Sequence, residues 1–225
     1  MISIILNCYN PTKWQTHMTM ACIAAIKKFT DPPYELIVID NAPIYQIRDD
    51  YKVFEPYLHV INEENKTCTA SYNQGAALAQ GEILVFIQSD VFVHERTINK
   101  LATYLESGQF DVAYPQQIEH SRQDILDLYS SPDGKEISFG WRDAGLLMIT
   151  REGFDKTGGW TEDYRNLLQE ADFYAKIDDV GLRWTDKTNA IITHIMAANN
   201  LSKDTETYDK EMTWDAKLLH GEKND

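Results

Sequence analysis

The chain has 225 residues, 43% hydrophobic and 25% charged, a balance that suits one globular domain with a sizeable core. Its 35 acidic residues outnumber 21 basic ones, for a formal charge of −14. That field repels polyanions and no Lys/Arg cluster interrupts it, so nucleic acid and anionic membrane surfaces are poor partners. Cys8, Cys22 and Cys68 are an odd number with no Cys-x-x-Cys spacing, and read as buried reduced thiols. The N-terminus MISIILNCYN lacks the basic start and the long apolar run of a signal peptide. No window approaches the ~20 apolar residues of a membrane span. A cytoplasmic location is the expectation.

Ile2 to Leu6 is an apolar, β-rich run that predicts a buried parallel strand, followed by turn residues that include Asn10-Pro11. Residues 13–29 carry Trp14, Met18, Cys22, Ile23 and Ile26 at helical spacing, with Lys27 and Lys28 in the last turn. Asp31-Pro32-Pro33 stops that helix. Glu35 to Asp40 predicts a second buried strand ending in an acid, which makes a right-handed β-α-β unit. The alternation continues with a strand at Leu58 to Ile61 and an Ala-rich helix at Thr69 to Gln80 closed by Gly81. A fourth strand, Glu82 to Ile87, runs into Gln88-Ser89-Asp90.

Residues 94–106 predict an amphipathic helix with Ile98, Leu101, Ala102 and Leu105 on one face, and Asp111 to Tyr114 a short strand. Residues 115–141 are polar and irregular, as a loop or lid over a site would be. A strand at Ala144 to Thr150, a short helix at Glu152 to Lys156 broken by Gly158-Gly159, a helix over 167–180 and a strand at Ile191 to Ile195 follow. The expected organisation is a single α/β domain over 1–200, and a polar extension over 201–225 with a helix near 206–220. Its sheet should be open, mostly parallel and flanked by helices. Met212, Trp214, Leu218 and Leu219 suit either docking of a partner chain, such as a second copy, or packing on the parent domain.

In open α/β sheets, ligands sit at the carboxyl ends of the strands. Asn7, Tyr9 and Asn10 follow the first strand, Asp40 and Asn41 end the second, and Asp90 follows the fourth. Each alone is an ordinary turn former; together they mark one edge as polar.

In order and spacing these segments resemble the family 2 glycosyltransferases, which have the GT-A (Rossmann-like) fold. The resemblance runs from about residue 2 to 195. ISIILNCYN is similar to the family's first strand and its Tyr-Asn, and ELIVIDNA to its second strand, whose Asp contacts the nucleotide base. NKTCTASYNQGAALAQGEILVFIQSDV is similar to its Asn-x-Gly segment and to the strand entering the metal motif. DAGLLMITREGFDKTGGWTEDY resembles an acceptor-side block, and LLQEADFYAKIDDVGLRW a Glu-Asp-x-Asp helix.

The resemblance implies residue roles. Tyr9, Asn10, Asp40, Asn65, Asn73, Gln88 and Ser89 would line the nucleotide-sugar site, with uridine the expected base. Asp90 matches the second acid of an Asp-x-Asp metal motif, and Gln88 stands where an Asp is frequent. Bridging a diphosphate to an acidic protein calls for a cation, and Mn²⁺ or Mg²⁺ is expected. These ions need only one or two protein carboxylates when phosphates supply other oxygens. His194 would complete the metal shell. Glu170 matches the general base, Gln169 the acid before it and Asp172 the last acid, while Trp160, Glu162 and Asp163 fall on the acceptor side.

Each assignment has an ordinary structural counterpart. Asp90 could cap the helix at 94–106, Glu170 could belong to a solvated acidic face near Asp178 and Asp179, and His194 could simply end a strand. Trp160 suits core or sugar platform equally. The implied activity is metal-assisted, inverting transfer of a sugar from a nucleotide-diphosphate donor to a glycan or other hydroxyl acceptor. Two other classes compete. A nucleotidyltransferase would carry a Gly-rich basic loop after the first strand, and residues 7–13 hold no glycine. A non-catalytic binding module of the same fold would account for the departures at Gln88, Gln169 and Glu170.

Overall fold

A computed structural model describes residues 1–45, 57–120, 138–139, 145–164, 168–195, 210 and 213–217. Strand and helix alternate at the start: β1 (Ile2–Cys8), α1 (Lys13–Phe29), β2 (Tyr34–Asn41), β3 (Tyr57–Asn62), α2 (Cys68–Leu78) and β4 (Ile83–Gln88). Next come β5 (Val91–Val93), α3 (Thr97–Glu106), β6 (Val112–Ala113), β7 (Gln116–His120) and β8 (Ser138–Phe139). The remainder is β9 (Leu146–Thr150), α4 (Arg151–Thr157), α5 (Gln169–Asp179), β10 (Trp184–Thr185) and β11 (Ile191–Ile195).

Seven strands form one sheet in the order β10-β6-β9-β4-β1-β2-β3, and four form a second in the order β5-β11-β7-β8. In the larger sheet β4, β1, β2 and β3 are mutually parallel, so their carboxyl ends share one edge. β9 runs antiparallel between β4 and β6. This is the α/β architecture of a GT-A fold.

The period-2 geometry of a strand divides each apolar run between two faces. Ile4, Leu6, Val85, Ile87 and Met148 join Cys22, Ile23 and Ile26 of α1 and Ile98, Leu101 and Leu105 of α3 in one cluster. Ile5, Leu84, Phe86, Leu147 and Ile149 join Tyr72 of α2, Phe154 of α4, and Phe173 and Ile177 of α5 in the other. Burying each such side chain stabilises the fold by about 1.5–3 kcal/mol. The uninterrupted apolar runs of β1 and β4 are thus the mark of strands covered on both faces.

Several expectations change. The helix expected from 94 begins at Thr97, because 91–93 pairs with β11 and His94 N–H bonds Thr97 Oγ1 at 3.0 Å. Residues 116–120, read as loop, form β7 against β11. The polar sequence hid it because β7 borrows its partner from 75 residues downstream in register. Residues 138–139, also read as loop, form β8, and the rest of the expected lid, 121–137 and 140–141, lies outside the described residues, as does most of the expected helix at 206–220, of which 210 and 213–217 are helical. Gly81 does not close α2, whose C-cap is Ala79. A Cβ at Gly81 would meet Met1 O and Ser3 Oγ, each at 2.6 Å, so this glycine allows close passage beside β1. The carbonyls at the end of α2 are met by Arg151, which donates to Ala79 O and Gly81 O at 2.8 Å each.

Candidate active site

The sheet register gathers the polar residues that end the strands. Asn7 lies opposite Gln88, Cys8 opposite Asp40, and Asn41 opposite Asn62. Beneath this edge runs a chain of amides. Asn41 Nδ2 donates to Asn7 Oδ1 at 3.0 Å and to Ser71 Oγ at 2.7 Å, while Asn62 Nδ2 donates to Asn41 Oδ1 at 2.8 Å. Buried polar groups must be paired in this way.

Asp40 is fully buried. Asn10 Nδ2 donates to its Oδ1 at 3.1 Å, and His59 Nε2 lies 3.4 Å from its Oδ2. Burial first, and the Asp40 charge next, hold the Cys8 thiol well above the usual range. Asn10 is buried too, and its Oδ1 accepts from Thr19 at 2.9 Å, so its side chain ties the turn after β1 to α1 and to Asp40. Tyr9, beside it, is half-buried.

Asp90 follows β4 and is buried, as is Ser89. It does not cap α3, whose N-cap is Arg96. Pairing of β5 with β11 instead brings His194 to it, with Nε2 at 3.6 Å from Asp90 Oδ1. Gln117 Nε2, an N–H donor, sits 3.2 Å from the other ring nitrogen, an arrangement in which Nδ1 accepts and Nε2 turns its proton toward Asp90. Only with the Gln117 amide rotated, so that its Oε1 accepts from Nδ1–H, is the Nε2 lone pair available to a metal. Backbone packs tightly over the pair: a Cβ at Gly145 would lie 3.2 Å from Gln117 Oε1 and 3.3 Å from His194 Nδ1.

No group of three or more His, Cys, Asp or Glu able to hold a metal occurs among the described residues. One carboxylate and one imidazole remain, a donor set that suits Mn²⁺ or Mg²⁺ when diphosphate oxygens complete the shell. The residues present therefore fit the expected ion.

Glu170 stands in the first turn of α5 and is half-buried. Gln169 Nε2 donates to its Oε1 at 3.0 Å, and Gln88 Nε2 donates to the same oxygen at 3.4 Å. Glu170 and Asp90 also share a neighbour. Burial first, then the Cys68 thiol, then these two carboxylates push the Tyr72 hydroxyl well above its ordinary value.

The 160–163 segment, expected on the acceptor side, is held by residues of α2 and α5. Asn73 Nδ2 donates to Trp160 O and Glu162 Oε1, and its Oδ1 accepts from Trp160 N–H, each at 2.9 Å. Asn73, expected on the nucleotide side, thus bonds the 160–162 segment through both amide atoms. Asp172 accepts from Thr161 Oγ1 at 2.8 Å. Trp160 is a core residue: it is 3% exposed and stacks on Phe173 with ring centroids 3.9 Å apart. No ring face is left for a sugar. Glu162 and Asp163 are exposed, and so is Asn65, on the loop before α2.

His59, Tyr72 and Gln117 were missed in the sequence. His59 lies inside an unremarkable strand, Tyr72 reads as helix filler, and Gln117 falls in a stretch read as loop. Only the pairing of β7 with β11 could have singled out Gln117.

No described helix is long and apolar enough to cross a membrane. A protein 26% identical over 128 residues is "Glycosyltransferase GlyG" of Streptococcus pneumoniae serotype 4; the match covers 55% of this chain and 41% of that protein. A second, an "Uncharacterized glycosyltransferase" of Haemophilus influenzae, is 24% identical over 186 residues, covering 79% of this chain and 62% of that protein. The chain therefore spans less than two thirds of the length of both relatives. The model of glycosyl transferase family 2 matches residues 3–162, through the strand-end edge and as far as Glu162, and the chain belongs to that family.

Proposed function

We propose that the protein is an inverting glycosyltransferase that moves a sugar from a nucleotide-diphosphate donor, with uridine the expected base, to a hydroxyl of a glycan or similar acceptor. The observation that carries this reading is the meeting of Glu170 with the Gln88-Ser89-Asp90 turn: 82 residues separate Glu170 from Gln88, yet their side chains bond. A base candidate is thus held at the end of β4, two residues before the carboxylate proposed for the phosphate side.

In the proposed reaction the acceptor hydroxyl oxygen attacks the anomeric carbon from the side opposite the diphosphate. Glu170 takes the hydroxyl proton as the new C–O bond forms. The old C–O bond breaks with its electron pair going to the diphosphate, and attack from the far side inverts the carbon. Asp90 and His194 would hold Mn²⁺ or Mg²⁺, which supplies charge neutralisation at the leaving diphosphate. The turn around Tyr9 and Asp40 forms the nucleotide end. Buried, free Cys8 and Cys22 suit a reducing compartment, so the cytoplasm is the proposed place of work.

The departures from the family pattern at Gln88 and Gln169 do not favour a binding module, since both amides donate to Glu170. A panel of nucleotide-sugars screened by thermal shift, with and without Mn²⁺, tests the proposal. A UDP-sugar should raise the melting temperature more with Mn²⁺ than without it, and turnover should release UDP. Release of pyrophosphate from a nucleoside triphosphate would overturn the reading in favour of a nucleotidyltransferase.

A further inference from the structure

The helix that carries Glu170 begins without a cap of its own. The N-cap of α5 is Leu168, and no side chain of the local sequence bonds the helix start. A helix N-terminus leaves up to four N–H groups without intrahelical partners, and an unsupported first turn frays. Glu170 stands in that turn.

Support arrives from far along the chain. Leu168 N–H donates to Asp215 Oδ2 at 3.4 Å across 47 residues, and Trp214 Nε1 donates to Asp163 O at 3.3 Å across 51. Asp215 is fully buried, although it lies in the polar extension. A buried carboxylate is costly unless donors meet it, and negative charge is favoured where helix N–H groups point outward. The two adjacent residues therefore grip both ends of the 163–168 stretch that leads from the acceptor-side block into α5. The Asp215 charge is also felt at Tyr164, whose hydroxyl donates to Asp172 and is pushed up to about 12 by burial first, then Asp172, then Asp215. The grip lies beyond residue 162, where the family match ends.

We propose that residues 213–217 are a working part of the catalytic unit: Asp215 and Trp214 clamp the approach to α5 and hold Glu170 in place. Both are positioning residues, and the proposal rests on Glu170 being the base. Docking within the same chain engages this part of the tail, so the clamp does not need a second copy.

The test compares Asp215→Ala, Asp215→Asn and Trp214→Phe with the full-length protein. Two readouts are taken: hydrogen exchange of peptides spanning 163–172, and turnover of whichever of UDP-glucose, UDP-galactose and UDP-N-acetylglucosamine is hydrolysed fastest with Mn²⁺. Asp215→Ala should speed exchange there several-fold and lower kcat about tenfold, with KM for the donor within twofold. Asp215→Asn, which keeps a carbonyl acceptor, should recover much of both. Trp214→Phe keeps an aromatic ring but loses the indole N–H and part of its volume, and should show a smaller change in the same direction. Unchanged exchange over 163–172 in all variants that fold overturns the clamp, as does faster exchange with unaltered kcat while Glu170→Gln is inactive. Full activity of Glu170→Gln overturns the base assignment instead, and the exchange measurement then still decides the clamp.

Discussion

Gln169 and Glu170 are neighbours in sequence and partners in space: the Gln169 amide donates to Glu170 Oε1 at 3.0 Å. Gln88 reaches the same oxygen at 3.4 Å from the end of β4. Both amides occupy positions where the family resemblance places acids. Two acids there would crowd Glu170 with like charge; two amides donate to it.

If Glu170 is the base, Glu170→Gln keeps the shape and removes the proton acceptor. Turnover should fall by ~10²–10⁴ with donor affinity nearly intact. Steady-state kinetics beside donor titration checks this, and wild-type turnover would rule the role out.

Gln169→Glu replaces a donated N–H with a second carboxylate. Two carboxylates at this separation resist joint ionisation, so one of the pair keeps its proton to higher pH than a lone carboxylate would. The acidic limb of the kcat profile should therefore move to higher pH, while activity at pH 8 and above is largely kept. A limb that stays in place would show that the Gln169 contact does not govern the base.

Asp90→Ala should abolish Mn²⁺-dependent binding of UDP in calorimetry. Gln117→Leu should weaken it about 10- to 100-fold by removing the amide oxygen that, once the amide is rotated, would accept from Nδ1–H of a metal-bound His194. Wild-type affinity in Asp90→Ala would remove the phosphate-side assignment.

Gly75 tests the packing of α2 on the sheet. A Cβ there would come within 2.3 Å of Ile5 Cγ2. The better helix propensity of Ala is outweighed by this clash in a close-packed interior, so Gly75→Ala should cost about 1–3 kcal/mol. Denaturant unfolding measures it; unchanged stability would mean that α2 shifts freely. Because α2 carries Tyr72 and Asn73, activity should fall with it.

Much of this protein is determined locally. The apolar runs at Ile2 to Leu6, Glu35 to Asp40 and Glu82 to Ile87 predict buried strands because side chains alternate between two covered faces, α1 follows from its 3.6-residue spacing, and α2 from its Ala-rich composition. The placing of Asp40 and Asp90 at strand ends on one edge follows from that alternation, while Glu170 is singled out by the family resemblance alone. What sequence patterning alone did not reveal was set by contacts between distant segments. Residues 116–120 become a strand because β11 and β8 offer partners on either side. Thr97 becomes the start of α3 because β5 takes the residues before it. Trp160 is core and not platform because it is buried with Phe173 stacked on its ring, and Asn73 turns to the 160–162 segment because the backbone of Trp160 and the Glu162 side chain meet its amide. Local periodicity encodes which face of an element is apolar; it carries no information about which hydrogen-bonding group, 50 or 80 residues away, arrives to meet a polar one.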